Sequence, residues 1–335
     1  MRTGTRLVLA GAAASVFVAQ VASVFLAQSA WGAEIDLSVT SADGVVLAGT
    51  WHTPATPGPW PAVVFTHGSE PGVRTMQGYR NWMEAFRSRG VAVLVFDKRG
   101  CGESQGTYVE APDLDIPAND LVGWVEEVAA RPDVIPSSVG VLGWSQGGWV
   151  GPLAASRSPR VAFVVAISGS GVSPLEQNIF DKTNQCRASG ATEAQTLSFG
   201  RTVRAVWTYL VTGEGQDLAQ REWDAVADQP WFEKAYNGPP MMERERILAH
   251  PRMTSFVEHS SFEPAPVLAS VRVPMLAVFG EKDTVVPIDR SEAAMRDGFR
   301  KSGNRDLTVL HVQNADHGLR VPQADGTLAL AEGYP

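Results

Sequence analysis

Cysteine is scarce in this sequence. Of 335 residues only Cys101 and Cys186 are cysteines. Two distant cysteines exclude a disulfide framework, and they do not stand in metal-ligand spacing. An oxidising compartment would permit one bridge between them, which could pin an inserted segment to the core, but we expect two free thiols.

Runs of basic residues are missing as well. The chain has 28 Lys and Arg against 36 Asp and Glu, which gives a formal charge of -8. An acidic chain without basic patches is poorly suited to nucleic acid or anionic membrane surfaces, so we expect neither as a partner. With 44% hydrophobic and 19% charged residues, and no internal repeat or low-complexity linker, the composition is that of a folded globular protein.

The first 32 residues have the order of a secretory signal peptide. Two arginines in MRTGTR precede an uncharged stretch from Leu7 to Ala27, and the small residues of AQSAWGA follow. We predict cleavage near residues 29–33, before Ala30 or Ala33, and export to the periplasm or the medium. A retained membrane anchor is the alternative, since the uncharged stretch is long enough to span a bilayer; small residues and Gln20 favour cleavage. Cleavage would leave no stable membrane insertion.

From Glu34 onward, strand and helix patterns alternate. PAVVFTH and VAVLVFD are continuous apolar runs of the kind buried on both faces of a parallel sheet. TMQGYRNWMEAFRSRG has a helical apolar stripe that stops at Gly90, and Asp120 is a candidate N-cap for the next helix. This repeated β-α-β pattern predicts the α/β class, with a mostly parallel sheet flanked by helices.

One segment interrupts the alternation. Between Ser168 and Pro274 the helical patterns RTVRAVWTYLVTG, LAQREWDAVADQPWFEKAY and MMERERILAH occur without a convincing buried strand. So long an insertion inside a compact domain is usually functional or a subdomain. We therefore predict a helical cap at residues 169–272, inserted between two parts of the core at 34–168 and 273–335.

A serine stands between glycines where a strand meets a helix. Gly143-Trp144-Ser145-Gln146-Gly147 matches G-x-S-x-G between the strand VGVLGW and a helical pattern. The glycines relieve crowding in a tight turn that presents the serine hydroxyl at the carboxyl edge of the sheet. We interpret Ser145 as a nucleophile; a plain Gly/Ser turn is the alternative.

A serine nucleophile needs a base and an acid that orients the base. His317 follows the last predicted strand, where a loop can reach the serine, whereas His311 lies inside that strand and His250 and His259 lie in the inserted segment. Asp283 sits just beyond the strand PMLAVFG; Glu281 and Asp316 are its competitors. The resulting chain order is Ser, Asp, His.

The oxyanion formed by attack of Ser145 needs preorganised donors. The backbone N–H of Gln146 is one candidate. The second should come from the loop after PAVVFTH, where we favour Ser69 and keep Gly68 as the alternative. The glycines of DKRGCGESQG do not have dinucleotide-site spacing, and no metal or organic cofactor is required by this chemistry.

Taken together, THGSEPG, FDKRGCGESQG, GWSQGGW, GEKDTVVP and NADHG resemble the α/β-hydrolase superfamily. Within it, the chain is similar to the bacterial serine esterase and serine aminopeptidase branch that borders dienelactone hydrolases. The resemblance implies that Asp97 and Arg99 are organising charges near the pocket. Trp144 stands where many relatives have histidine, and relatives commonly add a final amphipathic helix where this sequence has only 18 residues after His317.

The leading hypothesis is an exported serine hydrolase that cleaves small-molecule carboxylic esters. A peptidase, aminopeptidase or thioesterase on the same fold is the second; an aminopeptidase needs a carboxylate aimed at the substrate amine, and Glu233, Glu243 and Glu245 are available in the cap. A non-catalytic binding protein that keeps the fold is a third reading. The sequence does not predict the oligomeric state.

Overall fold

A computed structural model describes residues 32–330, except residues 239, 324 and 326. The predicted signal peptide lies outside the described residues apart from Gly32, and residues 331–335 of the last predicted core segment also lie outside them. Export and signal cleavage therefore stay predictions.

The strands are β1 (Glu34–Thr40), β2 (Val46–His52), β3 (Trp60–Thr66), β4 (Ala92–Phe96), β5 (Val134–Trp144), β6 (Val161–Ile167), β7 (Met275–Gly280), β8 (Leu307–Val312), β9 (Arg320–Pro322) and β10 (Leu328–Leu330). The helices are α1 (Gln77–Ser88), α2 (Asp115–Ala129), α3 (Gly147–Arg157), α4 (Pro174–Ala188), α5 (Glu193–Thr212), α6 (Gln216–Asp224), α7 (Pro230–Ala235), α8 (Arg244–Leu248), α9 (Pro251–Ser260), α10 (Pro264–Leu268) and α11 (Ile288–Ser302).

Strands β1 to β8 form one sheet in the order β1-β2-β4-β3-β5-β6-β7-β8. The β1–β2 and β2–β4 pairs are antiparallel, and all neighbours from β4 to β8 pair in parallel. The predicted α/β class with a mostly parallel sheet is confirmed. Strand β1 was not predicted, because EIDLSVT is a mostly exposed edge strand without a continuous apolar run.

Helices cover both faces of the sheet. On one face, α2, α3, α10 and α11 bury an apolar cluster that includes Leu121, Trp124 and Phe299. On the other face, α1 and the chain after β8 pack together, with Tyr79 and Leu319 among the buried residues. The carboxyl ends of the parallel strands thus lie at one edge, where loops can converge.

Asp120 is not an N-cap. Helix α2 begins at Asp115, and Asp120 lies inside it with a buried carboxylate. Its Oδ1 accepts hydrogen bonds from Ser41 Oγ at 2.6 Å and from Arg99 at 2.6 Å. A tertiary ion pair, rather than capping, therefore explains this residue.

Helices α4 to α10 occupy the chain between β6 and β7, and α4 to α9 enclose an apolar cluster of their own. Helix α4 is joined to the core at two points. Glu176 near its start pairs with Arg204 of α5 and with Arg290 of α11, the latter at 2.6 Å. Asn184 near its end donates its side-chain N–H to the carbonyl oxygen of Thr284 at 2.9 Å. Helix α4 thereby lies beside the loop that follows β7.

Both cysteines lie within the described part of the chain, and both are buried free thiols. Cys101 follows β4 and Cys186 lies in α4, so the expectation of two free thiols agrees with the structure.

Candidate active site

Ser145 lies in the turn between β5 and α3, as predicted. Strand β5 ends at Trp144 and helix α3 begins at Gly147. The φ angle of Ser145 is 53°, in the left-handed region that costs a non-glycine residue energy. Its backbone N–H donates to the carbonyl oxygen of Ile167 at 2.9 Å, which fixes the turn against β6.

The glycines of the turn are required by close backbone contacts. A Cβ atom on Gly143 would lie 2.0 Å from the carbonyl oxygen of Gly147, and a Cβ on Gly147 would lie 3.0 Å from the carbonyl oxygen of Thr66. The predicted crowding between the residues two before and two after the serine is confirmed.

The structure brings Ser145, His317 and Asp283 together. Nε2 of His317 lies 3.0 Å from Oγ of Ser145, and Nδ1 lies 2.8 Å from Oδ2 of Asp283. These residues come from loops after three different parallel strands, β5, β8 and β7. His317 is partly exposed with 20% of its side chain accessible, whereas the Asp283 side chain is fully buried.

The carboxylate of Asp283 is held by its own loop. Its Oδ1 accepts backbone N–H groups from Val285 at 2.7 Å and Val286 at 2.9 Å, which leaves Oδ2 for the imidazole. The backbone N–H of Lys282 donates to the carbonyl oxygen of Ala315 at 2.8 Å, so the loops that carry the acid and the imidazole are bonded to each other. The distance between Asp283 and His317 is therefore set by backbone structure.

The competing acids have other partners. Glu281 is exposed and accepts the backbone N–H of Asn314 at 3.3 Å. Asp316 accepts the guanidinium of Arg320 at 2.7 Å. Burial raises the pKa of the Asp316 carboxyl, but its hydrogen bonds with the Arg320 side chain and backbone outweigh this and leave the pKa below its ordinary value.

The remaining histidines are engaged elsewhere: His52 lies near Glu34, His250 accepts the backbone N–H of Arg252, His259 bonds the carbonyl oxygen of Pro112, and His311 bonds Glu292. His67 is buried after β3, between the Tyr79 hydroxyl and the carbonyl oxygen of Phe96. Burial lowers the pKa of His67 to about 4, so this imidazole is neutral.

The candidate oxyanion donors lie at the same edge of the sheet. Gln146 is the first residue after the serine, at the N-terminus of α3. Gly68 and Ser69 follow β3, which pairs with β5 up to Thr66 opposite Gly143.

The loop after β4 organises this edge, as the sequence resemblance implies. Asp97 accepts the backbone N–H groups of Arg74 at 2.7 Å and Glu103 at 2.9 Å. Arg99 pairs with Asp43 and Asp120, both at 2.6 Å. The indole of Trp144 donates to the carbonyl oxygen of His317 at 3.4 Å, so it packs beside the candidate site.

A mostly apolar cavity of about 60 Å³ lies beside Gln146. Phe96, Tyr108, Val109 and Val150 are among its walls, and Lys98 also lines it. Among the described residues, no group of three or more His, Cys, Asp or Glu side chains could hold a metal ion. In the same part of the chain no helix is both long and apolar enough to cross a membrane.

Sequence reasoning missed two charged residues near the site. The ammonium group of Lys98 donates to a backbone carbonyl oxygen of the loop after β3. Asp181 of α4 is half-buried, and burial is the main cause that raises the pKa of its carboxyl. The three cap glutamates that were candidates, Glu233, Glu243 and Glu245, are all exposed. No local pattern marks Asp181, because its position depends on how α4 is joined to the core.

Residues 58–321 match the model of the family described as "Serine aminopeptidase, S33". The chain belongs to the serine aminopeptidase S33 family. Together with the sheet topology, this membership confirms the predicted α/β-hydrolase superfamily.

Named relatives of this S33 family member include different enzymes. The chain is 22% identical over 254 residues to the acyltransferase drtE of Aspergillus calidoustus, which covers 72% of this chain and 78% of the relative. It is 24% identical over 289 residues to the esterase EstD of Thermotoga maritima, covering 85% of this chain but only 59% of EstD. The Pyrococcus furiosus esterase Pf2001 has the same fold, with a TM-score of 0.55 and 18% identity over 85% of this chain and 82% of that one. The protein is thus an α/β-hydrolase.

Proposed function

We propose that this protein is an exported serine hydrolase that cleaves carboxylic esters of small molecules through an acyl-serine intermediate. The observation that carries the proposal is the pair of hydrogen bonds made by His317. Its Nδ1 lies 2.8 Å from Oδ2 of Asp283, and its Nε2 lies 3.0 Å from Oγ of Ser145. In this proposal Ser145 is the nucleophile, His317 the base and Asp283 the group that orients the base.

The geometry supports a definite proton path. Because both oxygens of Asp283 accept hydrogen bonds, Nδ1 of His317 carries the proton and Nε2 is free to accept the proton of the Ser145 hydroxyl. Oγ then bonds to the ester carbonyl carbon while the carbonyl oxygen takes the electron pair. The backbone N–H groups of Gln146 and Ser69 stabilise that oxyanion, and Gly68 is the alternative to Ser69.

The intermediate collapses when the ester C–O bond breaks and the leaving alkoxide takes the proton from Nε2 of His317. Water then attacks the acyl-serine, with His317 again as base, and releases the carboxylic acid and the Ser145 hydroxyl. Every step uses side chains and backbone groups of this chain.

The test compares the hydrolysis of p-nitrophenyl acetate and butyrate by wild-type protein of residues 33–335 and by its Ser145→Ala variant. We expect the variant to lose at least about 10³-fold in kcat, because the nucleophile is gone. A fluorophosphonate probe should label the wild-type protein at Ser145 and leave the variant unlabelled. Equal hydrolysis by the two proteins would reject the proposal, and failure to label would favour a binding protein that keeps the fold.

Export is supported by the charge and apolar pattern of residues 1–32. Expression of the full chain in a bacterial host with an intact secretion system, followed by N-terminal sequencing, tests it. A periplasmic or secreted protein that starts near residues 29–33 is expected. A full-length chain in the membrane fraction would favour the retained anchor.

Aminopeptidase activity is the second candidate, and Asp181 is the observation that favours it. This half-buried carboxylate lies in α4, whose end is hydrogen-bonded to Thr284 next to Asp283, and in this alternative it would bind the substrate ammonium group. Faster turnover of aminoacyl-naphthylamides than of p-nitrophenyl esters would reverse the ranking of the two functions. A thioester substrate series in the same assay tests the thioesterase alternative.

A further inference from the structure

One ammonium group holds the loop that carries the second candidate oxyanion donor. Nζ of Lys98 lies 2.8 Å from the carbonyl oxygen of Gly68, 3.3 Å from that of Ser69 and 3.2 Å from that of Glu70. Three consecutive carbonyls of this loop, which we call the β3 loop (residues 67–70), therefore turn towards the same cation.

The direction of a carbonyl fixes the direction of the next amide. In a trans peptide unit the C=O and the following N–H point in opposite directions. Because the Gly68 carbonyl points at Lys98, the N–H of Ser69 points away from it. Lys98 therefore controls the orientation of the Ser69 amide through the peptide unit that the two groups share.

The same ammonium also touches the residue that carries the first candidate donor. Nζ of Lys98 lies 3.4 Å from Oε1 of Gln146, and Nε2 of Gln146 donates to the carbonyl oxygen of Glu110 at 3.2 Å. Lys98 is itself anchored, since its backbone N–H donates to the carbonyl oxygen of Gly72 at 2.9 Å. The ammonium thus connects the β3 loop to the N-terminus of α3.

Tyr108 completes the arrangement. Its hydroxyl donates to the carbonyl oxygen of Ser69 at 2.6 Å, and the Lys98 ammonium lies 5.4 Å from the centre of its ring. A hydrogen bond from a charged donor is stronger than one from a hydroxyl, so Lys98 makes the larger contribution.

We propose that Lys98 is a positioning residue that aims the Ser69 amide at the oxyanion by binding the carbonyl oxygens of the β3 loop. This inference rests on the proposed function, since it assigns a role in the same site. In this role Lys98 acts through the Ser69 amide rather than by contact with the reacting atoms. Its effect is on the preorganisation of a donor, which acts in the transition state more than in substrate binding.

The first test is Lys98→Met, which removes the ammonium and keeps an unbranched side chain. We expect kcat on p-nitrophenyl acetate to fall by about 10- to 100-fold while KM changes less than about threefold, because a misaligned donor loses transition-state stabilisation. Lys98→Arg should recover part of the rate. Inhibition by phenylboronic acid, whose tetrahedral serine adduct carries a negative oxygen, should weaken in parallel with kcat/KM.

Arg244→Met is the matched control. The Arg244 guanidinium also donates to a backbone carbonyl oxygen, that of Leu210 at 2.8 Å, but it does so at the end of α5. A general loss of packing or charge would affect both variants, whereas the proposed role predicts that only Lys98→Met loses kcat.

A folded Lys98→Met protein that hydrolyses at the wild-type rate would overturn the inference and leave the proposed function standing. Equal rates for wild type and Ser145→Ala would overturn both. If Lys98→Met does not fold, Tyr108→Phe takes its place: it removes the donor to Ser69 and should lower kcat by about three- to tenfold, since a neutral hydrogen bond is the weaker support. An unchanged kcat in Tyr108→Phe would then reject the role of the carbonyl contacts.

Discussion

Replacing Asp283 with asparagine should disable the imidazole without unfolding the loop. The side-chain oxygen of an asparagine can still accept the backbone N–H groups of Val285 and Val286, at 2.7 and 2.9 Å in the wild type. That orientation turns the amide NH₂ towards Nδ1 of His317, where Oδ2 accepts a hydrogen bond at 2.8 Å in the wild type. An NH₂ group is a donor, so Nδ1 must become the acceptor and the proton must move to Nε2.

The tautomer switch sets the expected magnitude. A protonated Nε2 donates to the Ser145 hydroxyl and cannot take its proton. A change of this kind costs about 10⁴ in kcat in the Ser-His-Asp template, and we expect about 10³- to 10⁴-fold here. The thermal midpoint should move little, because the two backbone hydrogen bonds survive.

Asp283→Ala separates the two effects. It removes the orienting group and also leaves two backbone N–H groups without their acceptor, each of which costs about 1–3 kcal/mol when buried. We therefore expect both a similar loss of kcat and a lower thermal midpoint. Stopped-flow or steady-state hydrolysis of p-nitrophenyl acetate, together with calorimetry, measures both quantities. Glu281→Gln is the control for a carboxylate on the same loop. An Asp283→Asn protein with kcat within tenfold of wild type would refute the reasoning.

Three further outcomes are expected. Gly143→Ala should prevent folding or lower the thermal midpoint sharply, because its Cβ would lie 2.0 Å from the Gly147 carbonyl oxygen. Gly123→Ala is the control: its Cβ would have its nearest neighbour at 3.9 Å, so this variant should be neutral or stabilising. Equal thermal midpoints for the two variants would contradict this. In the unfolded chain His67 has its ordinary pKa of 6.5, but burial lowers the pKa to about 4 in the folded protein. The unfolded state therefore binds this proton first as the pH falls, and the free energy of unfolding should drop by about 3 kcal/mol between pH 7 and pH 4. Urea titrations at both pH values should show a smaller loss in His67→Gln, and identical losses would reject this role. The two cysteines should react with a thiol reagent only after denaturation, because both are buried; rapid reaction of the native protein would contradict the structure.

The sheet and the positions of Ser145, Asp283 and His317 could be predicted because each depends on local signals. A buried strand is a continuous apolar run, and a loop at the carboxyl end of such a strand reaches the same edge as its neighbours. The structure brings these three residues together in the predicted order, while their catalytic roles await the experiments above.

Asp120, Lys98 and Asp181 show where local patterns are insufficient. Asp120 resembles an N-cap in the sequence, yet its partner Arg99 comes from a separate loop. Lys98 donates hydrogen bonds to backbone carbonyl oxygens about 30 residues earlier in the chain. Because every residue has a backbone carbonyl, no residue type in the sequence identifies these acceptors. Asp181 is placed near the site only by the way α4 is joined to the core.

The attachment of α4 to the core has a consequence for ligand recognition. Helix α4 is attached to the core near both ends, through Glu176 to Arg290 and through Asn184 to Thr284. The side chains between these two anchors, Asp181 among them, are therefore held beside the loop after β7 that carries Asp283. Substitutions in the helices after α4 can thus alter the surroundings of the site while both attachments of α4 stay in place.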